Sequence, residues 1–104
     1  MEVFKTPIEG LLVIEPKVFR DARGYFVETY NEQRYKDAGV DATFVQDNKS
    51  CSSFGVVRGL HFQKPPYSQA KLVQVIEGAV LDVAVDLRSD SETYGQWYAV
   101  ELTA

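Results

Sequence analysis

The sequence predicts an all-β chain, a double-sheet β sandwich or barrel, with one short helix. Three observations point there. Short runs rich in β-branched and aromatic residues recur with turn residues between them. Between Ala79 and Leu87 every odd position is apolar, while Asp82 and Asp86 fall on the even side, the mark of a half-buried strand. Only residues 31–38 carry the composition and end signals of a helix.

Composition bounds the rest. A chain of 104 residues, 45% hydrophobic and 25% charged, is one small globular domain or part of one, 1–104. A net charge of −4, from 11 basic and 15 acidic side chains, argues against general nucleic-acid or anionic-membrane binding. The single cysteine, Cys51, excludes an intrachain disulfide. With His61 as the one histidine, a histidine-rich metal cage is excluded as well, though a carboxylate-only site stays open by count. There is neither an apolar run of the roughly 18 to 20 residues a membrane helix needs nor a basic-then-apolar leader, so a cytoplasmic protein is expected.

In chain order, Val3 to Lys5 and Leu11 to Glu15 read as two strands separated by Thr6-Pro7 and Gly10. Asp21-Ala22-Arg23-Gly24 is a turn, and Tyr25 to Tyr30 continues extended. Asn31 can cap a helix through Ala38, with Glu32 in its first turn and Gly39 past its end. Thr43 to Phe54 is expected as a long polar strand, and Val56 to Gln63 as another. Gln69 to Glu77 is expected to pair with Ala79 to Leu87 as a hairpin about Gly78. Arg88 to Gly95 is a polar loop, and Gln96 to Leu102 a last strand.

Several side chains suit chemistry. On an extended segment Gln46, Asn48, Ser50 and Ser52 share one face, which suits a polar ligand, although spacing alone favours a solvated edge strand. Arg58 offers a planar fork for a diphosphate or carboxylate, and His61 an imidazole able to act as a general base or to fill a structural role. Strict alternation puts these two on opposite faces, so a bulge or twist is needed, and Gly59 is the natural place. Lys71, among apolar neighbours, can sit beside a developing oxyanion or simply face solvent. Arg23, Phe26 and Glu28 offer phosphate, stacking and ring N–H contacts, or an incidental turn and surface strand.

Five collinear pieces closely resemble the dTDP-4-dehydrorhamnose 3,5-epimerases. They are Asp21-Ala22-Arg23-Gly24-Tyr25-Phe26-Val27-Glu28, Gln46-Asp47-Asn48-Lys49-Ser50, Gly55-Val56-Val57-Arg58-Gly59-Leu60-His61-Phe62-Gln63, Gln69-Ala70-Lys71-Leu72-Val73 and Asp82-Val83-Ala84-Val85-Asp86-Leu87-Arg88. The resemblance implies a cupin-like β jelly roll that acts as a homodimer without metal or organic cofactor. It implies a dTDP-4-keto-6-deoxyhexose substrate, inverted at C3 and C5 on the way to dTDP-L-rhamnose. His61 then matches the general base and Lys71 the cation at the C4 oxygen. Arg58, Gln46 and Asn48 match sugar and diphosphate contacts. Arg23 and Glu28 match nucleotide contacts that reach the neighbouring subunit's site, and Phe26 between them is expected to bind substrate by stacking on the base. Family chains continue well beyond this length, and their later part holds the proton-donor tyrosine and the carboxylate partner of the base. The sequence is therefore expected to be the N-terminal part of the fold, C-terminally truncated, and weak in activity alone. The alternatives are a non-catalytic sugar-nucleotide-binding module, an epimerase of one carbon only, and an unrelated small β interaction domain.

Overall fold

The structure is a computed structural model and describes residues 1–104. It contains six strands and one short helix, so the all-β class holds. The strands are β1 (Glu2–Lys5), β2 (Leu12–Glu15), β3 (Val18–Asp21), β4 (Gly24–Val27), β5 (Ala79–Val85) and β6 (Trp97–Thr103). The helix, α1, is Glu32–Asp37. The strands form three antiparallel two-stranded ladders, β1–β2, β3–β4 and β5–β6. By contacts the chain divides into two compact units, one of residues 1–41 and 74–104, the other Ala42–Val73. All the regular elements belong to the first.

Each hairpin is closed by its turn chemistry. Between β1 and β2, Leu11 N–H donates to the Ile8 carbonyl at 3.1 Å. The Thr6 hydroxyl accepts from Ile8 N–H and lies 2.9 Å from the Leu11 carbonyl, which pins Ile8 inward as one of two buried apolar residues. In the β3–β4 turn, the Asp21 carboxylate accepts from Arg23 N–H at 2.8 Å, the local turn that aspartate favours. Here the structure departs from expectation. Val18–Asp21 is a strand paired with Gly24–Val27, with Phe19 opposite Phe26, whereas only the second strand was expected.

The helix is as expected. Asn31 caps it, its Oδ1 accepting from Arg34 N–H at 3.0 Å. Gly39 N–H donates to the Lys36 carbonyl and Val40 N–H to the Tyr35 carbonyl, so the end is a Schellman closure. Glu32 and Lys36 pair one turn apart at 2.8 Å. Tyr35 anchors the helix. It is buried, donates its hydroxyl hydrogen to the Thr29 carbonyl at 2.8 Å, and meets Tyr30 edge-on at 5.1 Å.

Two further expectations are corrected. Residues 43–54, 56–63 and 69–77 form no strands, and β5 pairs with β6, Asp82 opposite Val100 and Val85 opposite Trp97, instead of with Gln69–Glu77. The reason lies in the loop after β5. Asp86 N–H donates to the Gln96 carbonyl and Gly95 N–H to the Asp86 carbonyl, which extends the ladder into the turn. The buried Asp86 carboxylate accepts from Arg88 N–H, Nε and Nη2, and from the Ser91 and Thr93 hydroxyls, at 2.6–3.0 Å. Five donors on one carboxylate order the loop and bring β6 back onto β5. At the far end Ala104 N–H closes on the Gly78 carbonyl. Nor does the alternation of β5 give one buried face: Leu81 is 70% exposed while residues 82–85 are all half-buried. Alternation buries a face only where a second layer packs on it, and each strand here contacts only its hairpin partner.

Candidate functional site

The sequence-predicted site residues fall into two groups, one in each unit. Arg23, Phe26 and Glu28 belong to the first unit and are set by the β3–β4 hairpin and the segment leading to α1. The hairpin forms an open concavity of about 380 Å³ lined by Phe19, Asp21, Arg23, Tyr25 and Phe26, among others. Arg23 and Phe26 are thus brought to one place, a guanidinium beside an exposed aromatic face. Arg23 Nε donates to Asp21 at 3.2 Å, and this pairing lowers the Asp21 pKa and raises that of Arg23. Sequence reasoning missed Phe19, which lies across the ladder from Phe26, and Arg20, whose guanidinium lies 5.4 Å from the centre of the Tyr25 ring.

Glu28 is held from the helix side. Arg34 Nη1 donates to its Oε1 at 2.9 Å. The Asn31 cap fixes Arg34 N–H, so the cap, the helix and the carboxylate form one chain of contacts. The Tyr35 hydroxyl is pushed up in pKa, first by burial and then by the nearby Glu28 charge. Arg34 was not singled out from the sequence. Its signal was there, as a basic residue six positions on from Glu28 across a capped helix start.

Gln46, Asn48, Arg58, His61 and Lys71 belong to the second unit. Gln46 Nε2 donates to Asn48 Oδ1 at 3.1 Å, so these two share a side, as residues two apart do on extended backbone. Ser52 Oγ accepts from Arg58 Nε at 2.9 Å. Gly59, between Arg58 and His61, has φ +112, a backbone state that only glycine adopts readily, but the strand in which a bulge was expected there does not form. A Cβ at Gly59 would lie 3.4 Å from His61 Nδ1, an ordinary van der Waals contact, so the demand for glycine comes from the backbone angle. His61 and Lys71 are both exposed, and no hydrogen bond joins them. Neither lines the β3–β4 concavity, nor a second one formed by Pro7, Glu9, Arg88 and residues 90–93.

Residues 5–104 match the dTDP-4-dehydrorhamnose 3,5-epimerase family. The chain belongs to that family. A dTDP-4-dehydrorhamnose 3,5-epimerase from Methanothermobacter thermautotrophicus is 54% identical over 99 residues, covering 95% of this chain and 53% of the relative. Among solved structures, the Bacillus anthracis dTDP-4-dehydrorhamnose 3,5-epimerase with TDP and PPi bound is 47% identical. It superposes with a TM-score of 0.94 over 98% of this chain and 59% of its own. A dTDP-6-deoxy-D-glucose-3,5-epimerase from Legionella pneumophila, in complex with dTDP-4-keto-L-rhamnose, is 48% identical with a TM-score of 0.91, over 98% of this chain and 54% of its own. The chain therefore has the all-β, cupin-like fold of this epimerase family, and it spans little more than half the length of these relatives. Membership excludes an unrelated β interaction domain. No helix is long and apolar enough to cross a membrane.

Proposed function

We propose that the protein is a sugar-nucleotide epimerase. It inverts C3 and C5 of dTDP-4-dehydro-6-deoxy-D-glucose to give dTDP-4-dehydro-L-rhamnose, in dTDP-L-rhamnose biosynthesis. The observation that carries this reading is the similarity along 98% of this chain, at 48% identity, to an epimerase in complex with dTDP-4-keto-L-rhamnose. Chemistry supports it. The C4 ketone acidifies the hydrogens at C3 and C5. Removing one leaves its electron pair in an enolate, and returning a proton from the opposite face inverts the carbon. His61 is the base that takes the carbon-bound hydrogen. Lys71 is the cation facing the C4 oxygen where negative charge develops, an interaction stronger in the transition state than in the ground state.

Arg58, Gln46 and Asn48 contact the sugar and diphosphate. The Arg23–Phe26 concavity takes the nucleotide, with Phe26 stacking on the base, Arg23 meeting phosphate and Glu28 accepting from the ring N–H. The working protein is a cytoplasmic homodimer in which the Arg23/Glu28 segment contributes to the neighbouring site. Residues 1–104 are the N-terminal part of a single jelly-roll domain. The test is product formation: the protein is incubated with dTDP-4-dehydro-6-deoxy-D-glucose and the sugar nucleotide recovered. The L-rhamno product is expected, formed slowly by residues 1–104 alone. Unchanged substrate that nevertheless binds would instead support a non-catalytic binding module, and inversion at one carbon a narrower epimerase.

A further inference from the structure

The loop before Arg58 has a geometry that the contacts proposed above do not use. Val56 N–H donates to the Ser53 carbonyl at 3.3 Å, and Gly55, the third residue of that turn, has φ +84. No non-glycine residue has positive φ, so this is a type II turn, which places glycine at that position. The turn folds the chain back so that Ser52 stands opposite Arg58. Ser52 Oγ accepts from Arg58 Nε at 2.9 Å, and Arg58 Nη2 lies 3.5 Å from the Cys51 carbonyl oxygen, a longer contact on the same edge of the guanidinium. The Nε edge of the fork is thus turned toward its own chain, and hydrogens on the Nη nitrogens are left to donate elsewhere.

We propose that Ser52 is a positioning residue that aims the Arg58 fork at the anionic part of the sugar nucleotide. The proposal rests on the reading of Arg58 as a ligand contact. An unrestrained arginine samples many rotamers and loses that freedom on binding. A fork already tied along one edge loses less, so its bidentate grip on a phosphate or sugar oxygen is stronger. Ser52 itself touches no ligand in this scheme. Its effect passes entirely through Arg58, and that separates it from an ordinary polar contact.

The experiment is a double-mutant cycle on dTDP-glucose affinity, measured by calorimetry with parent, Ser52→Ala, Arg58→Ala and the double variant, with Ser52→Thr as rescue. Ser52→Ala is expected to weaken binding about fivefold, the scale of one net hydrogen bond. Ser52→Thr should restore it, and Ser52→Ala should add nothing once Arg58 is alanine. In the parent, the Arg58 Nε–H signal in a ¹⁵N spectrum should be protected from solvent exchange, and that protection should vanish in Ser52→Ala. Equal losses from Ser52→Ala with and without Arg58 overturn the positioning role, as does an unprotected Nε–H. Parent-like binding by Ser52→Ala alongside weak binding by Arg58→Ala also overturns it while leaving the Arg58 reading intact. Parent-like binding by Arg58→Ala, or no binding by the parent, removes the underlying reading instead.

Discussion

At the scale of single residues, the proposed chemistry separates binding from turnover. Lys71 acts on charge that exists only as the enolate forms, so Lys71→Ala is expected to lower turnover about 100- to 1,000-fold with a much smaller change in substrate affinity. Steady-state kinetics with a separate binding titration checks this, and equal losses in both would make Lys71 a ground-state contact. Arg23 has the opposite signature. Its exposed guanidinium sits at the β3–β4 concavity, and Arg23→Ala should weaken thymidine diphosphate binding about tenfold without changing which carbon is inverted. Gly59→Ala should cost about 1 to 2 kcal/mol, because alanine is strained at φ +112. A urea midpoint measured alongside activity will show stability and turnover falling together.

At the scale of elements, what could be read from the sequence followed how local each signal is. The Asn31 cap, the acidic first turn and the closing glycine all lie within ten residues of one another, and the helix formed between them. Strands are different, because a strand needs a partner and alternation names a face without naming the neighbour. Hence Ala79 to Leu87 was recognised as a strand while its partner was misassigned, and residues 43–54, polar and extended in pattern, formed no ladder. Val18–Asp21 was overlooked because its two apolar residues are adjacent and do not alternate. Asp86 was placed on a polar strand face, but it is 4% exposed and gathers the whole β5–β6 loop. Periodicity cannot foresee a loop folding back over a carboxylate. The Arg23–Phe26 grouping was legible because a tight turn holds it, whereas the residues alone left His61 and Lys71 open between chemical and ordinary roles, and the family resemblance chose between them.

The same elements supply two tests of stability. Asn31→Ala removes the side-chain acceptor at the helix start and should cost about 1 kcal/mol, read as a lower Tm. Donors from Arg88, Ser91 and Thr93 hold the Asp86 carboxyl below its ordinary pKa of 3.8. A carboxylate whose folded-state pKa is depressed stabilises the fold fully above its unfolded value, and that contribution is lost as pH falls below it. Acid titration of the urea midpoint should therefore show a fall below pH 3.8 that is shallower in Asp86→Asn.

At the scale of the molecule, much apolar surface lies open. Tyr25, Phe26, Leu81 and Trp97 are each about two-thirds exposed or more, and only Ile8 and Tyr35 are buried apolar residues. Two-stranded ladders with such faces are poorly stable alone, and their unpaired edges favour association. Sedimentation should show concentration-dependent self-association of this chain, shifted toward monomer by Trp97→Lys.

The proposed chemistry is tested most directly by hydrogen exchange at carbon. With dTDP-4-dehydro-6-deoxy-D-glucose in deuterated buffer, NMR should show deuterium entering both C3 and C5 with the parent protein. Exchange should be abolished in His61→Ala and strongly slowed in Lys71→Ala. Exchange that persists unchanged without the imidazole, or a parent that binds the sugar nucleotide and exchanges neither hydrogen, would contradict proton abstraction by His61.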